Sequence, residues 1–139
     1  MVNDGCIETQ VDKIPKKNEN SKIQNENLKG NMELHDGAIV WINCNPQAGH
    51  EQAGRRPALI VSNDIFNRVM PLRFVLPITH TNRKNPFHVR LDETTKTDGY
   101  IMCEQIKSFD LEARQYEYIE DAPEAIVNEV KAILIDSIK

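Results

Sequence analysis

The sequence predicts a mainly β domain, a small and strongly bent sheet or barrel, closed by one C-terminal helix. Three observations predict it. About five short apolar runs recur after residue 33, separated by turn signals such as Asp36-Gly37, Asn45-Pro46 and Asp98-Gly99. Residues 87–91 alternate apolar and polar side chains, as a strand with one exposed face does. Only after Asp121 does the spacing change, with Val127, Val130, Leu134 and Ile138 recurring at helical intervals. Short strands joined by tight turns favour a curled sheet over a flat open one.

The elements follow in order. Residues 1–32 are rich in Asn, Lys, Glu, Gln and Ser and contain no aromatic residue. KKNENSKIQNENLKGN cannot bury enough surface to offset its ordering entropy, so the stretch reads as a disordered extension with a transient helix near 21–28. The domain occupies residues 33–139. Asp36-Gly37 precedes a strand over 38–44, which Asn45-Pro46 closes. A polar loop containing Gly54 leads to Arg56, and ALIVS at 58–62 reads as a buried strand. Residues 63–69 suit a short helix or turn, and 73–79 make the third strand. After the basic loop 80–86 come strands over 87–91 and 100–106, a dip through Ser108, Phe109 and Asp110, and a short segment at 116–119. Asp121-Ala122-Pro123-Glu124 then reads as a helix start, with a capping carboxylate, Pro in the first turn and Glu three residues after the cap. The helical stripe that follows is expected to pack on the sheet.

Length and composition bound the function. A chain of 139 residues holds one domain with a single modest core. No apolar run approaches the roughly 20 residues that span a bilayer, and the N-terminus lacks a signal-peptide core, so a cytoplasmic protein without membrane contact is expected. Cys6, Cys44 and Cys103 are odd in number and scattered, which suggests neither a disulfide framework nor a zinc site. They read as reduced thiols, with Cys44 and Cys103 on strands. The net charge of −4 conceals a division: residues 55–90 carry seven basic side chains against one acidic, whereas 91–139 carry five against twelve. A locally basic stretch in an acidic protein makes a confined anion-binding patch rather than a general polyanion binder.

Within the basic stretch, Gly54 gives backbone freedom, Arg55 and Arg56 place two guanidinium groups on a loop, and Pro57 opens a strand. Thr79 supplies a hydroxyl at the end of another strand. A strand start carrying Arg56 beside a strand end carrying Thr79 would suit a phosphodiester. Glu51-Gln52, Gly54, Arg56-Pro57, the following ALIVSND, Pro77-Ile78-Thr79, and the later Glu104-Gln105-Ile106-Lys107-Ser108 with Asp110 resemble the MazF/PemK family of toxin endoribonucleases in order and spacing. The resemblance covers about three quarters of the chain, from residue 36 onward. It implies an SH3-like small barrel of the MazF/PemK/CcdB type with a C-terminal helix, a homodimer, and metal-independent, cofactor-free, sequence-selective cleavage of single-stranded RNA. It also implies a cognate antitoxin whose disordered tail occupies the RNA groove.

Carried onto this chain, the resemblance makes Arg56 and Thr79 the catalytic pair. A guanidinium binds two phosphoryl oxygens at once and strengthens its contacts as charge grows on phosphorus, while the threonine hydroxyl holds a nonbridging oxygen. Glu51 matches the family glutamate: it either takes the 2′-hydroxyl proton or orients Arg56 through an ion pair. His50 departs from the family pattern and, with His80, is a candidate for proton transfer or base stacking, against the alternative of exposed loop histidines. Gln52 and Gly54 complete the substrate loop, and Gln105 contacts either bases or that loop, Glu104 being structural. Asn82, Arg83 and Lys84 are expected to touch backbone phosphates. Arg55 reads as a surface charge, and Trp41 and Phe87 as core, with base stacking as the alternative for the two aromatic residues. Two other functions compete: a CcdB-like inhibitor of DNA gyrase, and a noncatalytic SH3-like module that binds an extended peptide or nucleic acid.

Overall fold

The computed structural model describes residues 34–51, 53–81 and 84–139. The expectations for residues 1–32, Gln52, Asn82 and Arg83 lie outside them. Seven strands among the described residues form one sheet: β1 (Ala38–Asn43), β2 (Arg55–Ile60), β3 (Arg73–Thr79), β4 (His88–Arg90), β5 (Tyr100–Met102), β6 (Lys107–Phe109) and β7 (Glu117–Asp121). Helix α1 (Asp64–Val69) links β2 to β3, and α2 (Glu124–Ile138) ends the chain. Every pairing is antiparallel, in the order β4-β5-β3-β2-β1-β7. This is the mainly antiparallel, barrel-like sheet with a terminal helix that the sequence predicts.

Strand β3 organises the sheet. Along one edge it pairs with β2; along the other its first residues pair with β6 and its last two with β5. The chain from Tyr100 to Phe109 therefore follows a single edge of β3, interrupted by a 3-10 turn at Cys103–Gln105. A continuous strand over 100–106 is not what forms. Cys103 is buried in this turn while Ile106 is 46% exposed, so apolar content alone reads straight through the break. The interruption also hides β6, whose three residues are too few to show alternation.

Alternation along the strands builds two cores. On one face Ile39, Leu59, Leu76 and Ile78 pack with Ile126, Val127 and Val130 of α2; on the other, Val40, Ile42, Ala58, Ile60 and Val75 pack with Leu34 and Leu111. Central strands covered on both sides read as unbroken apolar runs, which accounts for ALIV at 58–61. Gly37, at φ +89°, turns the chain into β1, and its N–H and C=O bond Ile60 and Ala122.

The helix boundaries differ in detail from expectation. Asn63 caps α1 by accepting the Phe66 N–H at 2.8 Å. At α2 the cap position is Pro123, with no side-chain bond, because Asp121 belongs to β7 and its carboxylate takes the Tyr118 hydroxyl at 2.9 Å and His35 Nε2 at 2.6 Å. The stripe is core only in its first half: Val127 and Val130 are buried, Leu134 is partly so, and Ile138 is 85% exposed. Trp41 and Phe87 are also more open than the core placement expected for them, at 37% and 45% exposure. Trp41 lies two residues from Ile39 along the same face, between Pro57 and Glu117 of the flanking strands.

Arg73 joins the strand core to the start of the domain. Almost fully buried, it donates from Nε to the Leu34 carbonyl at 2.9 Å and from Nη1 to those of Met70 and Leu72 at 2.9 and 3.1 Å. Burial lowers its pKa, opposed by the fields of Glu112, Asp64 and Asp110. Arg73→Met removes three charge-assisted bonds, and is expected to cost about 2 to 4 kcal/mol of stability. The measurement is a urea midpoint that falls at unchanged slope.

Candidate active site

The β2–β3 register aligns the strand ends that carry the two principal residues. Ala58 pairs with Pro77 and Leu59 with Leu76, so the same antiparallel register carried two residues further sets Arg56 across from Thr79. Arg56 also faces Ile42 of β1. It lies within β2 rather than in the preceding loop, because that strand starts at Arg55 and not at Ala58 as expected. The extra turn of pairing fixes the backbone beneath the guanidinium. Arg56 is half-buried, and its Nε donates to the Ala53 carbonyl at 3.1 Å. Thr79 is buried; its Oγ1 accepts the Thr81 N–H at 3.2 Å, so its own proton is the part it can offer a ligand oxygen.

The loop between β1 and β2 closes over this end of the sheet. Cys44 N–H bonds the Gly54 carbonyl at 2.9 Å, and Gly54, at φ +77°, donates to Asn45 Oδ1 at 3.0 Å. A left-handed residue there brings the chain back onto the strand axis, which is why glycine occupies the position. Glu51 holds the loop from inside and from outside. One carboxylate oxygen takes the Ala48 N–H at 3.1 Å; the other pairs with Lys107 Nζ of β6. These two bonds, the lysine's foremost, hold the Glu51 carboxyl below the usual carboxylate range. Of the two roles open to Glu51, an ion pair with Arg56 is not what forms: its partner is Lys107. Gln105 donates to the His50 carbonyl at 3.2 Å, which makes it a contact of the loop, as one of its two expected roles required. Glu104 pairs with His88 at 2.9 Å.

Sequence reasoning passed over two further cations. Burial raises the pKa of the Cys44 thiol, and the positive fields of Arg56, Arg114 and Lys107 oppose that rise, so three cations converge on the end of β1. Arg114 donates to the carbonyls of Asn43, at 3.1 Å, and Asn45, and its guanidinium lies 3.9 Å from the Phe109 ring centre. Lys107 is placed beside the loop by the β3–β6 pairing of Val75 with Lys107. Nothing near Arg114 in the sequence signals its place, since 58 residues separate it from Arg56. Beside these cations lies a small, mostly apolar depression lined by Ile42, Cys44, Val75, Pro77, Gln105, Lys107 and Phe109.

The remaining candidates lie outside this cluster or are simply exposed. His50 and His80 are exposed, His80 just beyond β3. Arg55 is a surface charge as expected, bonded to Glu117 and to the Gln115 carbonyl, each at 3.1 Å. Gln52 and Arg83 are outside the described residues. Among the described residues no group of three His, Cys, Asp or Glu side chains is placed to hold a metal ion, and no helix is long and apolar enough to cross a membrane.

Residues 35–138 match the family of PemK-like, MazF-like toxins of type II toxin–antitoxin systems. Endoribonuclease PemK of Escherichia coli is 38% identical over 118 residues, spanning 82% of this chain and 89% of the relative. Among solved structures, MazF of Deinococcus radiodurans in its Form-I crystal superposes with a TM-score of 0.70 at 36% identity, over 75% of this chain and 94% of that one. A MazE–MazF structure from the same organism, Form-III, gives 0.66 at 33% identity, over 75% and 94%.

Proposed function

The chain belongs to the PemK-like, MazF-like toxin family of type II toxin–antitoxin systems, and on that premise we propose how it works as an endoribonuclease toxin. The domain is residues 33–139, and it cleaves single-stranded RNA at a short recognition sequence without metal or cofactor. The 2′-hydroxyl attacks the adjacent phosphorus: the new O2′–P bond forms, the P–O5′ bond breaks, one proton leaves O2′ and another reaches O5′. The products end in a 2′,3′-cyclic phosphate and a 5′-hydroxyl. Since the nucleophile belongs to the substrate, the protein has only to orient the phosphate, offset its growing charge and move two protons.

What supports this reading is the β2–β3 register, Ala58 with Pro77 and Leu59 with Leu76, whose continuation would set Arg56 across from Thr79. The guanidinium meets the two nonbridging oxygens of the phosphodiester, and the threonine proton shares one of them. Arg114 and Lys107 add positive field beside the strand end, and Gln105, Gly54 and His50 shape the loop over the bases; Gln52 and Arg83 are assigned to substrate binding by the family resemblance alone. The protein's partner is a cognate antitoxin, whose disordered tail occupies the same cationic groove. The working unit is a cytoplasmic homodimer, and residues 1–32 are dispensable for cleavage.

In the free protein Glu51 is a poor proton acceptor near neutrality, because Lys107 and the Ala48 N–H favour its ionised form. Its folded pKa lies below the unfolded value, so the loop stabilisation it gives is complete above about pH 4.3 and is lost as pH falls through the folded pKa. The profile of kcat/KM, which reports the free enzyme, is therefore expected to show no limb from Glu51 between pH 5 and 8. A limb in that window that vanishes in His50→Ala or His80→Ala assigns the proton transfer to an imidazole. An unchanged profile and full rate in both variants removes the histidines from the mechanism.

The test is to incubate the purified chain with a long single-stranded RNA in EDTA and map the new 5′ ends. Cuts recurring at one short sequence, with 5′-hydroxyl ends, support the reading. Intact RNA beside folded protein overturns it; inhibition of gyrase supercoiling by that protein would then favour the CcdB-like alternative.

A further inference from the structure

The β1–β2 loop is held from outside by two side chains of one short segment, and the order of those contacts leads to Arg56. Gln105 takes hold of the loop at the His50 carbonyl, and Lys107, two residues on, takes hold of it at the Glu51 carboxylate. Two residues after Glu51, the Ala53 carbonyl accepts Arg56 Nε at 3.1 Å. The 3-10 turn is what makes the double contact reachable: by breaking the strand after Met102 it projects Gln105, then lets Lys107 rejoin β3 opposite Val75.

We infer that Lys107 is a positioning residue for Arg56, acting through Glu51 and the Ala53 carbonyl. The inference rests on the reading of Arg56 as the group that binds the scissile phosphate, but not on the chemistry that follows. The Lys107 ammonium neutralises the carboxylate that would otherwise compete with RNA phosphate for Arg56. By seating Glu51, it keeps the loop where the Ala53 carbonyl meets Nε, which leaves the two terminal guanidinium nitrogens for phosphoryl oxygens. A guanidinium held by Nε alone is preorganised for bidentate contact. Both partners of the ion pair are about one-third exposed, so its value lies in loop geometry rather than in global stability.

The experiment measures hydrogen exchange at Arg56 Nε by NMR in the full chain, for wild type, Lys107→Met, Glu51→Gln, the double variant and Lys107→Arg. Exchange about tenfold faster in Lys107→Met and in Glu51→Gln, no faster again in the double variant, and near wild type in Lys107→Arg, is the expected result. Unchanged exchange in Lys107→Met, or effects that add in the double variant, overturns the inference. The same proteins assayed on RNA are expected to show kcat reduced about ten- to hundredfold in Lys107→Met with KM within about twofold. A raised KM with a salt slope smaller by about one would instead make Lys107 a direct phosphate ligand and overturn the positioning role. Should the wild-type chain fail to cut RNA at all, the ribonuclease reading falls, while the exchange data still decide what Lys107 does.

Discussion

Arg56→Ala is expected to reduce kcat for RNA cleavage by about 10²- to 10³-fold, equivalent to about 2.7 to 4 kcal/mol of lost transition-state stabilisation. The size follows from where charge develops. In the pentacoordinate state the nonbridging oxygens carry more charge than in the ground-state phosphodiester, and a fixed guanidinium gains more from them than water does. Arg56→Lys keeps the charge and loses the planar fork, so it is expected to fall between alanine and wild type rather than to restore activity. The variant remains folded, because Arg56 is half-buried at the end of β2 and contributes no apolar surface to either core. Single-turnover rates on a defined oligonucleotide, beside a urea melt of each variant, separate loss of chemistry from loss of fold.

The second large effect comes from a residue with no side chain. Gly99 precedes β5 at φ +130°, and a Cβ built there would lie 2.5 Å from the Thr79 carbonyl oxygen and 3.1 Å from Ile78 Cγ2. Neither neighbour can give way easily: one is backbone of β3, and the other belongs to the buried core. Gly99→Ala is therefore expected to cost about 2 to 4 kcal/mol, combining the strained φ with the contact. It also pushes β5 away from the end of β3, where Thr79 pairs with Tyr100. A shift of about 1 Å at a positioned group lowers a rate by about a hundredfold. The variant should thus lose most of its activity while both Arg56 and Thr79 remain in place chemically. A urea midpoint and a single-turnover rate are the checks; wild-type values for both would show that β5 yields without moving Thr79.

Much of this architecture is legible in the residues themselves. Strands β1, β3, β4 and β7 fall within a few residues of where the turn signals put them, because Asp-Gly, Asn-Pro and the apolar runs are local properties. The failures share a cause, which is dependence on distant parts of the chain. The break between β5 and β6 arises because one edge of β3 is shared between them, and no local spacing encodes that. Asp121 reads as a helix cap because its neighbours are Ala-Pro-Glu, yet β7 pairs through it and His35, 86 residues away, holds its carboxylate. Arg56 and Thr79 are marked as candidates by their motifs, and the β2–β3 register, continued two residues, sets them across from one another. Lys107 and Arg114 are not, since one looks like any strand lysine and the other reaches the end of β1 through contacts distant in sequence, with the carbonyls of Asn43 and Asn45. Glu51 shows the same limit from the other side: its presence was legible and its partner was not.

If the substrate's own 2′-hydroxyl is the nucleophile on which Arg56 and Thr79 act, removing that hydroxyl must abolish cleavage. The most direct measurement takes an oligonucleotide containing the mapped cleavage sequence and replaces the single nucleotide 5′ to the scissile phosphate with its 2′-deoxy counterpart. This substrate is expected to bind with near-unchanged affinity and to remain uncut, in EDTA, at any enzyme concentration that cleaves the all-ribose control to completion. Cleavage of the 2′-deoxy oligonucleotide at the same phosphate would contradict this mechanism, because the nucleophile would then have to be water or a side chain of the protein.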